Sequence, residues 1–303
     1  MIKIKYPKNI EENYYKLIAH TRMKKFNNST FESYYNSNIK SKLSGYELRA
    51  LLCGEYEKLL EIKDDIGSKY SSKSNIIKKL FNYDKSSKSL ELKLSKLQPK
   101  ISNFFESQLE IYTCNFCNIE FINKFKTTNG KFKNGFTLDH YIDKGSYPFL
   151  SLSLYNLIPS CYVCNSKVKG MHQISSLSPS SNNFDFDEKV KFKTFIKNRN
   201  LLVEKEDDFE LLLKEHFSKE EYKSYIDILN LDGRYEYHKY KVIEMINKRK
   251  EYPDSRISEL AKLIEKTEQE VKRDIFGKYL PDELHKRPLS KLIKDISKEL
   301  GLT

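Results

Sequence analysis

Four of the five cysteines in this 303-residue chain fall into two C-x2-C pairs, Cys114/Cys117 and Cys161/Cys164. Thiolates are soft ligands, and four of them in paired spacing favour a tetrahedral zinc site, closed to substrate, that holds the fold. The 43 residues between the pairs exceed what a minimal zinc ribbon needs, so further structure must be inserted between the knuckles. A redox dithiol is the competing reading, but such a pair opens a helix after a thioredoxin-like strand, and two copies are not needed. Coincidental core cysteines are the third reading, and two such pairs among five cysteines are rare by chance.

The inserted stretch carries the other reactive residues. Leu138-Asp139-His140-Tyr141-Ile142-Asp143-Lys144 is followed by Asn156-Leu157-Ile158-Pro159-Ser160-Cys161, then Cys164-Asn165, and the run closes on Lys169-Gly170. Asp139 and His140 alone could be a helix-capping or hydrogen-bonded pair inside a zinc-ribbon binding module. That reading leaves Asn156 and Asn165 without a role. The whole pattern, spanning residues 114–170, resembles the HNH endonuclease family, whose ββα-metal fold is often flanked by zinc knuckles.

The resemblance implies a role for each matching residue. His140 would be the general base, since an imidazole with a pKa near ~6.5 can take a proton from water at neutral pH. Asp139 would bind a catalytic metal, and Asn165, at the family's final His/Asn position, would add a neutral oxygen. Two oxygen ligands and waters suit Mg2+ or Mn2+ better than a second zinc. Asn156 would brace the loop carrying the base. Asn165 departs from the histidine of many members, which implies a weaker ligand set biased to hard ions. His172 reads as a surface histidine before a phosphate contact, and Asp143 as a turn residue before a further metal ligand. Lys144 and Lys167 are candidates for phosphate contact, against the ordinary alternative of solvated lysines.

Such residues need elements to hold them. Phe136-Thr137-Leu138 is a strand candidate after the turn dipeptides Asn129-Gly130 and Asn134-Gly135, with Asp139-His140 following it. Leu157-Ile158-Pro159 is a second extended piece, at a sheet edge or strand end because of its proline. Ser160 is placed to cap a helix running through Cys164 to Gly170. On the N-terminal side, Leu48, Leu51, Leu52, Tyr56, Leu59 and Leu60 form one helical stripe that Gly67 can end, with Cys53 a small residue beside it. Beyond Asn183 the chain reads as helical again. Ile257, Leu260, Leu263, Ile264, Val271 and Ile275 form one stripe, and Leu289, Leu292, Ile293, Ile296 and Leu300 another.

Residues 66–100 carry nine basic and two acidic side chains, more than half of the net +12. They read as a basic Ser/Lys-rich loop or arm with a short helix at Ile76–Phe81, suited to a polyanion and above all to nucleic acid. A solvated linker is the plain alternative. At 39% hydrophobic residues the chain can build a core, which excludes wholesale disorder. It has no apolar run long enough for a membrane span and no signal-peptide core in its first ten residues, so a cytoplasmic location without membrane contact is expected. Tyr34-Tyr35 and Tyr235/Tyr237 could stack on bases, though aromatics at this density mostly serve the core.

The expected architecture is α+β. A small zinc-stapled ββα nuclease centre over 101–183 sits between a helical region (1–65), the basic segment (66–100) and a helical C-terminal region (184–303). The expected function is metal-dependent hydrolysis of phosphodiester bonds in DNA, with a non-catalytic zinc-dependent nucleic-acid-binding module as the alternative. More loosely, the Tyr147-Pro148-Phe149-Leu150 and Asn156–Cys161 stretches are similar to HNH subunits of bacterial anti-phage systems of the Septu and retron-associated kind. That resemblance implies an ATPase partner. The charge-balanced C-terminal region reads separately as a helical packing or partner-docking domain, with its stripes equally suited to an internal core.

Overall fold

In the computed structural model, which describes residues 1–23, 28–72, 75–81, 97–197, 203–216, 220–276 and 281–302, the stripe from Leu48 to Leu60 folds as two helices rather than one. The N-terminal helices are α1 (Ile10–Ala19), α2 (Phe31–Asn38), α3 (Leu48–Cys53) and α4 (Tyr56–Ile66). Gly54 makes the break: its backbone is extended, and a Cβ there would stand 2.4 Å from the carbonyl oxygen of Ala50. No other residue fits so tight an exit. Gly67, at a φ of 67°, ends α4 as the sequence suggests.

The helix expected in the basic segment is α5 (Ile76–Phe81), which buries Ile77, Leu80 and Phe81. The stretch 82–96 lies outside the described residues. Then α6 (Leu97–Gln108) buries Leu97, Ile101 and Phe105.

The centre opens with a small hairpin, β1 (Phe125–Lys126) and β2 (Phe132–Lys133), turning through Asn129-Gly130. Next, β3 (Thr137–His140) pairs antiparallel with β4 (Leu157–Ser160), with Asp139 opposite Ile158 and His140 opposite Leu157. The strand therefore runs two residues further than expected, and Asp139 and His140 lie within it. Pro159 is tolerated because a two-stranded sheet leaves each strand an open edge. Ser160 does not cap the next helix. It is fully buried inside β4, its hydroxyl 3.4 Å from that of Thr137. The helix starts at Val163, is wound as a π-helical turn to Lys169, and stops at Gly170, whose φ is 49°.

The C-terminal region contains a hairpin that the helical expectation missed. After α7 (Phe186–Lys189), β5 (Val190–Ile196) pairs along its whole length with β6 (Phe209–Glu215). Val190, Phe192, Phe209, Leu211 and Leu213 alternate with more exposed positions, the period-two signature of a half-buried strand. Helices α8 (Lys223–Ile228), α9 (Leu231–Glu236), α10 (Lys239–Glu251), α11 (Asp254–Leu263), α12 (Glu268–Phe276) and α13 (Ser290–Glu299) follow. The 257–275 stripe is thus divided between α11 and α12; Ile257 and Val271 are buried, whereas Leu263 is 76% exposed. Leu292 and Ile296 of α13 are buried as expected.

One apolar core takes in Tyr14 of α1, Leu51 of α3, Phe81 of α5, Phe149, Leu157, Phe192 and Leu292, so the first and last helices brace the centre. A smaller cluster holds Ile257, Ala261, Val271, Phe276 and Leu302. Helices with small antiparallel sheets make the fold α+β. No helix among the described residues is long and apolar enough to cross a membrane.

Candidate metal centre and active-site cleft

All four paired cysteines are buried, and their sulfur atoms lie within 4.8 Å of one another. A zinc tetrahedron with Zn–S near 2.3 Å has edges of about 3.8 Å, so the cluster fits such an ion. The backbone supports thiolate charge there. The N–H of Cys161 donates to Cys114 Sγ at 3.2 Å, that of Cys164 to Cys161 Sγ at 3.4 Å, and that of Ile119 to Cys117 Sγ at 3.4 Å. Hydrogen bonding from Cys114 pulls the Cys161 thiol down to about 7. The four buried cysteines could hold a metal such as zinc. Cys53 stands apart: burial pushes its thiol up to about 12, and it donates to the Glu11 carbonyl.

Beside this cluster, β3, the π-helical turn and α6 wall a cleft of about 570 Å³. Asp139, His140 and Asn165 all line it, so the three residues expected to do chemistry share one cleft. His140 is buried at the end of β3, its Nε2 lying 2.9 Å from the carbonyl oxygen of Ser151. A carbonyl only accepts, so a neutral ring must carry its proton on Nε2 and its lone pair on Nδ1. Burial, with the Lys144 ammonium nearby, pushes the imidazole down to about 3, and the ring is neutral at pH 7.

Asp139 is 4% exposed, and burial pushes its carboxyl up to about 6 against the pull of Lys169. The Lys169 ammonium is 3.0 Å from Oδ2 but off the hydrogen-bonding direction, so this buried oxygen keeps acceptor capacity. Asn165 is half-buried on the facing helix. A carboxylate and an amide oxygen form a hard donor set, fitting Mg2+ or Mn2+ and ill-suited to zinc.

Asn156 lies outside the cleft lining and under it. Its amide donates to the carbonyls of Ile142 at 3.1 Å and Leu150 at 2.9 Å, and its Oδ1 accepts from Ile142 N at 2.6 Å. Its own carbonyl accepts from Tyr141 N at 3.0 Å. The side chain thus ties both ends of the connection between β3 and β4, from which Ser151 reaches His140.

The remaining candidates divide. Asp143 forms a turn, accepting from the N–H groups of Gly145 and Ser146 at 3.0 and 2.7 Å. Lys144 and the exposed His172 line the cleft, whereas Lys167 is exposed beside the Tyr162 ring and does not. Tyr34, Tyr35 and Tyr235 are buried in the core, and only Tyr237, at 83% exposure, is displayed.

Two residues escaped the sequence reasoning. Lys169 is buried against Asp139 rather than solvated, and a Lys-Gly helix end gives no sign of that. Arg234 of α9 sends Nη1 to Cys164 Sγ at 3.0 Å and Nη2 to Cys117 Sγ at 3.5 Å. Nothing in its local sequence distinguishes it from other arginines. Comparison of the chain with protein-family models, curated proteins and solved structures finds no match.

Proposed function

We propose that this chain is a metal-dependent endonuclease of the HNH kind, hydrolysing phosphodiester bonds in DNA. The observation that carries the proposal is the cleft itself, lined together by a tautomer-fixed neutral histidine, a buried carboxylate and an amide on the helix. A capping pair in a plain zinc ribbon would need neither the cleft nor the buried clamp at Asn156.

In this reading His140 Nδ1 accepts a proton from the attacking water while Ser151 O holds the ring in place. The shift toward 3 ensures that the base is unprotonated before substrate arrives, and the approach of an anionic phosphate raises its proton affinity. Asp139 and Asn165 would hold Mg2+ or Mn2+, which supplies positive charge against the phosphate and leaving oxygens. Lys144 and His172, on the cleft lining, orient phosphate oxygens. Structural zinc at Cys114, Cys117, Cys161 and Cys164 would keep the second knuckle fixed to the start of the helix bearing Asn165.

The pairing of Lys169 with Asp139 favours a second reading, a binding module in which the ammonium replaces the catalytic ion. Incubating supercoiled plasmid with Mg2+, Mn2+ or EDTA separates the two. The nuclease cuts only with divalent metal, and His140→Ala, at equal zinc content, does not cut. Retained DNA binding without cutting by either protein would leave the binding module.

A further inference from the structure

The hairpin of β1 and β2 belongs neither to the cysteine cluster nor to the cleft, yet it is built in an unusual way. Residues 123–134, Asn-Lys-Phe-Lys-Thr-Thr-Asn-Gly-Lys-Phe-Lys-Asn, contain four lysines and no acidic residue. Lys124, Lys126, Lys131 and Lys133 are all exposed, and so are Phe125 at 49% and Phe132 at 62%. Lys124 pairs with Glu106, but Lys126, Lys131 and Lys133 make no ion pair among the described residues.

The register decides what these side chains can touch. Phe125 is opposite Lys133, and Lys126 is opposite Phe132. Opposed residues share a face, so each face of the ribbon presents a ring with lysine beside it. Lys124 sits on the Phe132 face, its ammonium 4.7 Å from the ring centre. A ribbon that packed on its own core would be apolar on one side only. This one is equipped to meet negative charge on both.

Its base is fixed. Gly130, at a φ of 76°, closes the turn with a hydrogen bond to Thr127, and a Cβ at Gly135 would meet the Asn123 carbonyl at 2.4 Å. Helix α6 joins it to the cleft: Gln98, Ile101 and Ser102 line the cleft, while Lys100, Asn103 and Ser107 line a depression shared with Lys124 and Phe132.

We infer that this ribbon enters a groove of duplex DNA and holds the substrate across the cleft. Two strands are spaced about 4.8 Å apart, and with side chains on both faces the ribbon matches the B-form major groove, about 12 Å wide with phosphates on either wall. The deep, narrow major groove of A-form RNA does not admit it. The inference rests on the nucleic-acid reading of the cleft and names its substrate class as B-form duplex.

The test uses the full chain carrying His140→Ala, so that binding is read without cutting, by fluorescence anisotropy on 20-base-pair DNA and RNA duplexes over a salt series. Replacing Lys126, Lys131 and Lys133 by Gln together should weaken DNA binding at least 10-fold and lower the salt slope by about 2 to 3. Neutralising Lys205, Lys223 and Lys262, exposed in the C-terminal half, controls for net charge and should change binding less than 3-fold. Unchanged DNA affinity in the ribbon variant, equal losses in the two variants, or RNA bound as tightly as DNA would each overturn the inference. Failure of the nuclease reading shows separately, as absent plasmid cutting by the wild type.

Discussion

The ammonium of Lys169 stands 3.0 Å from Oδ2 and 3.3 Å from Oδ1 of Asp139, with the carbonyl of His140 at 3.2 Å. Both side chains are buried, so each charge leans on the other where water contributes little. Removing one partner of such a pair costs about 3–5 kcal/mol, because the remaining charge is stranded. Lys169→Met should therefore lower the urea midpoint at fixed zinc content without added Mg2+ or Mn2+. If Asp139 is a metal ligand, Mg2+ or Mn2+ should restore much of that loss in the variant and do less for the wild type. A midpoint that ignores divalent metal would remove Asp139 from the ligand set.

Arg234 faces the sulfurs of Cys117 and Cys164; burial works to lower its guanidinium pKa, but the negative charge of those sulfurs outweighs it and leaves the pKa raised. A divalent ion with four thiolates carries a net charge of −2, part of which this guanidinium offsets. Outer-shell partners of this type typically change metal affinity 10- to 100-fold. Arg234→Met should surrender zinc to a chromogenic chelator about 10-fold faster than wild type. Cys161→Ser should bind no stoichiometric zinc and lose cooperative unfolding, as read by atomic absorption and calorimetry.

Asn156 is fully buried and uses its amide group in three hydrogen bonds. Asn156→Ala leaves two carbonyls and one N–H without partners, at a cost of about 3 kcal/mol. Denaturant unfolding should show that loss. Because the same bonds fix the connection that holds Ser151 against His140, cutting should fall by more than the fraction of unfolded protein explains.

His140 also makes a pH signature. Its pKa near 3 in the fold lies below its unfolded value of about 6.5, so the unfolded chain binds an extra proton between those limits. Stability from this group is complete above pH ~6.5 and drains as pH falls toward the folded value. Asp139, raised to about 6, acts oppositely: the folded chain binds its proton first, which favours folding as pH drops below that value. His140→Gln removes the first effect and keeps the second. Between pH 7.5 and 5.5 the wild type should lose about 1 kcal/mol more than the variant, measured by urea unfolding at fixed zinc content.

The sequence revealed what side-chain type and short spacing encode. Four cysteines at paired spacing come together, β3 and β4 form beside them, and the Asn156 clamp lies where a brace was expected. Long-range pairings stayed hidden: Lys169 meets a carboxylate 30 positions earlier and Arg234 a sulfur 70 positions earlier, with no local pattern announcing either. The β5–β6 hairpin was legible in principle, since Val190-Lys191-Phe192-Lys193 alternates strictly. The helical reading beyond Asn183 rests on the later stripes from Ile257 and from Leu289, which say nothing about residues 190–215. Gly54 broke one stripe into two helices for a reason visible only in space, the approach to Ala50.

The π-helical winding of Val163–Lys169 has a consequence for the cleft. It is marked by the hydrogen bond from Gly170 N to Asn165 O, which encloses one residue more than an α-turn. The widened turn absorbs one extra residue between Asn165, which lines the cleft, and Gly170, which ends the helix behind Lys169. Deleting one residue among 166–168 would let the same bond to Asn165 O close as an α-turn, with the lysine before Gly170 kept close to its present place against Asp139. The π winding thus lets the chain carry one residue more between Asn165 and Gly170 while the cleft keeps its own buried cation.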